Sequence, residues 1–207
     1  MCIRDSSSAA FFMVAGCISK DSSITLNSVN INPTRTGVID ILKLMGGNIE
    51  LINQRLQAGE LIADIKVSSS KLKGIEIPEN LIPLAIDEFP VLFIAASCAE
   101  GETILTGAKE LRVKESDRIQ VMADGLTSLG INNEVLEDGI RISGGEFKKQ
   151  TNSIKSHHDH RISMAFAIAS VRSKFDIEIE GVDNVKTSFP NFVELANSIR
   201  MKITQTG

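Results

Sequence analysis

Residues 89–118, FPVLFIAASCAEGETILTGAKELRVKESDR, decide how this chain folds. The stretch opens on an apolar run rich in small residues, Phe89 to Ala99, that reads as a helix. It passes through a short strand pattern, Thr103 to Thr106, and ends on Lys114-Glu115-Ser116-Asp117-Arg118, five consecutive polar residues of which four carry charge. Charge of that density, where a strand hands over to the next helix, marks a site.

The same order of elements returns on both sides, so the stretch is one copy of an internal repeat. Apolar first helices run from Ser7 to Ile18, Phe89 to Ala99 and Arg161 to Val171. Strands follow at Ser23 to Val29, Thr103 to Thr106 and Phe175 to Ile179, the last alternating apolar and acidic residues. A polar junction comes next in each unit: Asn32 to Thr36, Lys114 to Arg118, and Lys186 to Pro190. Each junction leads into an amphipathic second helix, with Val38, Ile41, Leu42 and Met45 on one face in the first unit, and Ile119, Met122, Leu126 and Leu129 in the second. Phe192, Leu195 and Ile199 repeat that spacing in the third. Thr36, Ser116 and Ser188 are expected as N-caps, and Gly46 and Gly130 as helix stops. Closing strands are expected at Gly47 to Ile52 and Ile131 to Leu136, with Gly139 to Ile142 pairing with the latter. The fold class is α/β, built from three repeated βαβαββ-like units.

Composition narrows the function. At 207 residues and 43% hydrophobic content the chain can bury a sizeable core, and a net charge of −4 gives no field for a nucleic-acid backbone. Trp and Tyr are absent, so the usual platforms for stacking bases or sugars are missing. Cys2, Cys17 and Cys98 lack metal-ligand spacing and fit a reducing, cytoplasmic compartment. No apolar run approaches the roughly 18 residues that cross a bilayer, and the run from Ala9 to Ile18 belongs to the repeat rather than to a signal peptide. No glycine-rich phosphate loop or nucleophile elbow is present.

Equivalent junctions in symmetric units emerge on one side of a domain and are expected to converge. Before the first helices they carry Asp5-Ser6, Asp87-Glu88 and Asp159-His160-Arg161. Before the second helices they carry Arg35, Lys114 to Arg118, and Lys186. Helix N-termini offer free N–H groups and the positive end of the dipole, and Arg or Lys adds charge-assisted hydrogen bonds, so a small phosphate or carboxylate ligand is expected. Arg118 and Arg161 stand just inside helices, against the dipole preference unless something anionic lies close. Asp87 can be an N-cap or a proton acceptor. Glu115, between Lys114 and Arg118, is held ionised unless a bound anion offsets those charges. The histidines 157, 158 and 160 lie in one short segment without a second ligand group, which favours a proton-handling His160 over a metal site.

The segments Ile86-Asp87-Glu88-Phe89-Pro90, Glu110 to Arg118, Asp159-His160-Arg161 and Thr187-Ser188-Phe189-Pro190 resemble, in order, the 5-enolpyruvylshikimate-3-phosphate synthase family. Ser7 to Phe12 and Asn32 to Gly37 are also similar. The resemblance implies the inside-out α/β barrel of the enolpyruvyl transferases. It also implies transfer of the enolpyruvyl group of phosphoenolpyruvate to the 5-hydroxyl of shikimate 3-phosphate, through a tetrahedral intermediate, with release of phosphate and without metal or other cofactor. It casts Asp87 as proton acceptor, Glu115 as proton-transfer group and His160 beside the pocket. Lys114 contacts shikimate 3-phosphate, and Arg118, Arg161 and Lys186 contact phosphoenolpyruvate. Two positions depart from the pattern: Lys186 is one residue farther from the Phe-Pro pair than in some members, and Glu110 stands where some carry Asn.

Family members have a second domain of comparable size. The chain is therefore expected to be a C-terminal domain, residues 5–207, of three repeats (about 5–80, 81–155 and 156–207). Met1 to Arg4 read as a leader, and the chain is expected to be inactive without its missing N-terminal partner domain. The alternatives are a UDP-N-acetylglucosamine enolpyruvyl transferase, disfavoured by Lys114 to Arg118 and Asp159 to Arg161, and a non-catalytic anion-binding domain.

Overall fold

The computed structural model describes residues 5–150 and 152–205; the segment read as a leader, with Cys2, lies outside them. In the first unit α1 (Ser6–Ile18) is followed by β1 (Ser23–Asn30), α2 (Gly37–Leu44), β2 (Asn48–Gln57) and β3 (Glu60–Ser68). The second unit has α3 (Phe89–Ser97), β4 (Glu102–Leu105), α4 (Arg118–Ser128), β5 (Asn133–Val135) and β6 (Ile140–Ser143). The third has β7 (Ile154–Lys155), α5 (His160–Ala169), β8 (Ile179–Glu180), α6 (Asp183–Ser188) and α7 (Phe192–Ser198). The architecture is α/β and repetitive, as the apolar runs imply.

The two complete sheets share one topology: the last strand of the unit lies between the other two, in the orders β1-β3-β2 and β4-β6-β5, with antiparallel neighbours. Residues 73–77 run parallel alongside β4, through bridges Lys73 to Glu100 and Glu76 to Ile104. That gives the second unit the whole βαβαββ order. In the third unit the parallel pair is β7 with β8, Ile154 facing Ile179, and among the described residues no antiparallel strands follow.

Helices α1 and α3 are apolar on every side and buried along their length, so they belong inside rather than on a surface. With α5 they pack on one another at the centre, and the sheets lie outside. Small residues permit the close approach. At Gly125 in α4 a β-carbon would sit 2.2 Å from the Phe166 ring of α5, so only glycine lets these helices meet as they do. Phe11 and Phe12 of α1 close the third unit by packing on Phe192, with ring centroids 6.0 and 5.9 Å away.

Gly46 and Gly130 do end their helices, at φ +90° and +75°. The capping expectations need correction. Ser116 is not the cap of α4: Asp117 is, accepting from Gln120 N. Thr36 sits at the cap of α2 without a side-chain capping bond, its hydroxyl donating back to the Pro33 carbonyl instead, and Ser188 ends α6 instead of starting α7, whose cap position is Asn191. The strand expected from Phe175 to Ile179 shortens to Ile179–Glu180, because the strand it pairs with among the described residues, β7, is two residues long.

Candidate active site

Three junctions of the repeat come together, from the starts of α3, α4 and α5. Arg118 is the first residue of α4 and is 2% exposed. Its Nε donates to Asp159 Oδ2 at 2.8 Å and its Nη2 to Oδ1 at 3.5 Å. Asp159, fully buried, caps α5 by accepting from Arg161 N at 3.0 Å and also accepts from Ser116 Oγ at 3.1 Å. The protein thus supplies its own anion to the arginine that opposes the dipole of α4. The carboxylate meets the N-terminus of α5 and a guanidinium together, which offsets the cost of burying both charges.

Above this floor lies a more open layer centred on Asp87, whose side chain is 44% exposed. Lys114 Nζ is 3.4 Å and Arg118 Nη1 3.3 Å from Asp87 Oδ1, and Arg161 Nη2 is 4.0 Å from Oδ2. Desolvation pushes the Asp87 carboxyl up, but Arg161, Lys114 and Arg118 together outweigh it and hold the group below its usual range. Lys114 is raised, mainly by its pairing with Glu110 and further by Asp87. Glu115 is 3.7 Å from Arg118 Nη2, and its Oε2 is 3.0 Å from His160 Nδ1. Glu115, Asp159 and His160 bring potential metal-ligand atoms within 4.8 Å of one another. The guanidinium of Arg118 already contacts both carboxylates and supplies the positive charge a cation would bring.

The arrangement is three cations around one ionised carboxylate, with an imidazole–carboxylate pair beside them. A multiply charged anion fits the cations, and Asp87 and the Glu115–His160 pair can move protons at its edge. Residues 1–195 match the family described as EPSP synthase (3-phosphoshikimate 1-carboxyvinyltransferase). The chain belongs to that family.

Similarity to EPSP synthase sequences is high. The 3-phosphoshikimate 1-carboxyvinyltransferases of Ruthia magnifica and Vesicomyosocius okutanii are 72% and 70% identical over 96% and 97% of this chain. The chain spans about half their length, 46% of each. An EPSP synthase structure from Acinetobacter baumannii superposes with a TM-score of 0.91 at 54% identity, covering 97% of this chain and 47% of that one. The enolpyruvyl transferase NikO from Streptomyces tendae, at 15% identity and TM-score 0.73, shares the fold.

Within this EPSP synthase frame, Asp87, Lys114, Glu115, Arg118, His160 and Arg161 form one connected network, whereas Lys186 does not enter it. Lys186 is exposed on α6, which is tied to the site's loop by a 2.6 Å bond from Asn184 Nδ2 to the His158 carbonyl. Arg35 is also exposed and outside the cluster. Glu110 faces Lys114. Three further contributors stand inside the segments quoted from the sequence without a role of their own being read there. Asp159 was legible only as a member of an Asp-His-Arg motif. Arg112 locks the loop by donating to the Leu136 and Glu137 carbonyls and to Asp117, at 2.7, 2.8 and 2.7 Å. Glu88 is buried and accepts a 2.5 Å hydrogen bond from Ser7 Oγ. The Cys17 thiol, raised by burial to about 11, is remote from this chemistry.

Proposed function

We propose that this chain supplies one wall of an active site that transfers the enolpyruvyl group of phosphoenolpyruvate to the 5-hydroxyl of shikimate 3-phosphate and releases phosphate. The observation that carries the reading is the convergence of Lys114, Arg118 and Arg161 on Asp87. Arg118 and Arg161 bind phosphoenolpyruvate and Lys114 binds shikimate 3-phosphate. Lys186 is a further phosphoenolpyruvate contact if α6 turns it toward the site.

Asp87 accepts the proton of the attacking hydroxyl. In the ligand-free site its proton affinity is low because three cations surround it. Two anionic substrates neutralise those cations and raise that affinity when a base is needed. Addition to the enolpyruvyl double bond also needs a proton on the methylene carbon, and elimination of phosphate needs one removed. Glu115, hydrogen-bonded to His160, is placed to carry it.

The other wall belongs to the remainder of the enzyme, since the relatives are about twice as long. No helix among the described residues is long and apolar enough to cross a membrane, and we place the enzyme in the cytoplasm. The test is phosphate release from phosphoenolpyruvate plus shikimate 3-phosphate. The 207-residue chain alone should show none, and activity should appear when the remaining domain is supplied and disappear again with Asp87→Asn. Release that requires a different acceptor sugar would overturn the assignment.

A further inference from the structure

The carboxylate next to Asp87 has no part in the chemistry above, yet it sits where the substrate-binding arginine is held. Glu88 is 6% exposed at the start of α3 and is tethered by Ser7 of α1 at 2.5 Å. Its Oε1 is 3.7 Å from Arg161 Nη1. Arg161 makes one side-chain hydrogen bond among the described residues, 2.9 Å to the Asp87 carbonyl, and its ion pairs to Glu88 and Asp87 are long. A guanidinium has five donors, so Arg161 is parked with most of its capacity available to an incoming anion.

We infer that Glu88 is a proton-linked positioning residue for Arg161: it holds the guanidinium at the junction of α3 and α5, and takes up a proton from solvent when a bound anion draws that guanidinium away. The inference rests on the reading that Arg161 grips an anionic substrate. The groups facing Glu88 are Ser7 and the cap residue Asp5 on the α1 side, Arg161 on α5, and Asp87 in its own loop. Burial already raises the Glu88 carboxyl. Ser7 and Arg161 oppose that rise, and the charges of Asp87 and Asp5 add to it. Of these, only Arg161 supplies a compensating positive charge. When it turns to a ligand, a nearly buried carboxylate is left beside two other acids, and neutralisation by a proton costs less than leaving it charged.

The test is a carboxyl-carbon NMR titration of the 207-residue chain labelled at glutamate, with Glu88 assigned by Glu88→Gln. Arg161→Gln, without ligand, should move the Glu88 midpoint upward by roughly one unit, the size of effect a nearby opposite charge exerts. Arg161→Lys, which keeps the positive charge, should leave the midpoint close to that of the unsubstituted chain, which separates loss of charge from loss of fold. With the remaining domain and shikimate 3-phosphate supplied, saturating phosphoenolpyruvate should shift the Arg161 Nε signal and raise the Glu88 midpoint, and calorimetry in two buffers, at a pH between the free and bound midpoints, should show up to about half a proton taken up, absent in Glu88→Gln. An unmoved midpoint in Arg161→Gln overturns the coupling whatever the ligand does. Phosphoenolpyruvate that shifts Arg161 but not Glu88 overturns the inference and leaves the proposed function standing. In that assembled enzyme, phosphoenolpyruvate that leaves Arg161 untouched overturns both.

Discussion

The floor and the mouth of the site use the same residue types for different ends. In the floor, Arg118 and Asp159 are almost wholly buried, bonded at 2.8 Å and fixed at the starts of two helices, Arg118 as the first residue of α4 and Asp159 as the cap of α5. In the mouth, Lys114, Arg161 and Asp87 meet across 3.4 to 4.0 Å, with Asp87 nearly half exposed. Burial decides which pair is permanent and which exchanges: Arg118 keeps Asp159 on its Nε and Nη2 and turns only Nη1 toward Asp87 and the ligand side. A buried pair cannot lose one member without stranding the other, whereas an exposed pair exchanges partners with water or an anion at little cost.

The largest test of that contrast is Asp159→Asn, which leaves the Arg118 guanidinium buried without its counter-charge and should cost about 3–5 kcal/mol in urea unfolding. A loss under about 1 kcal/mol would place Asp159 among the ordinary surface pairs. Beneath the floor, Gly125→Ala drives a methyl into the Phe166 ring and should destabilise by about 1–3 kcal/mol. A silent substitution would mean the contact between α4 and α5 is loose.

In the mouth the pattern reverses. Lys114→Met should change stability by less than about 1 kcal/mol but weaken shikimate 3-phosphate binding to the complete enzyme by about tenfold or more, read by calorimetry. His158→Gly probes the loop that carries Asp159. His157 and His158 both adopt left-handed backbone, φ 53° and 60°, in a turn closed by a 3.0 Å bond from Asp159 N to the Ser156 carbonyl. Relief of that strain, less the extra freedom of glycine when unfolded, should raise stability by about 0.5–1 kcal/mol.

The smallest effect is also the sharpest, because it sets two adjacent carboxylates against each other. Asp87 is held below its usual range, so its contribution to stability is complete above the ordinary value of 3.8 and fades as pH falls through the lowered folded value. Glu88 is raised, so its cost is absent below 4.5 and grows as pH climbs through the raised folded value. Stability measured against pH should therefore show Asp87→Asn losing most at neutral pH and nothing in strong acid. Glu88→Gln should gain at neutral pH, with the gain vanishing in acid. Profiles of the same sign for the two would break the distinction between an exposed carboxylate held by cations and a buried one that burial makes costly.

Much of this was legible in residue order. The apolar runs around Phe12, Phe93 and Phe166 announced three equivalent first helices, and those that are apolar on every side, α1 and α3, have to be buried. Gly46 and Gly130 announced their ends. The caps were harder to read, since Ser116 and Asp117 are both good caps and only the path of the loop gives the role to Asp117 and frees Ser116 for Asp159. The strand from Phe175 was overextended, because alternation marks a surface that can pair and not the length of strand available to pair with it.

The sequence by itself determined the repeat, the α/β class and the membership of Asp87, Lys114, Glu115, Arg118, His160 and Arg161 in one charged site, since periodicity and motif are local properties of the chain. Only the tertiary structure decided that Asp159 is the partner of Arg118, that Glu88 lies behind Arg161 on a tether from Ser7, and that Lys186 stays outside the network. Those relations join residues 41, 73 and 81 positions apart, or fail to, through packing of helices whose contacts no local pattern encodes.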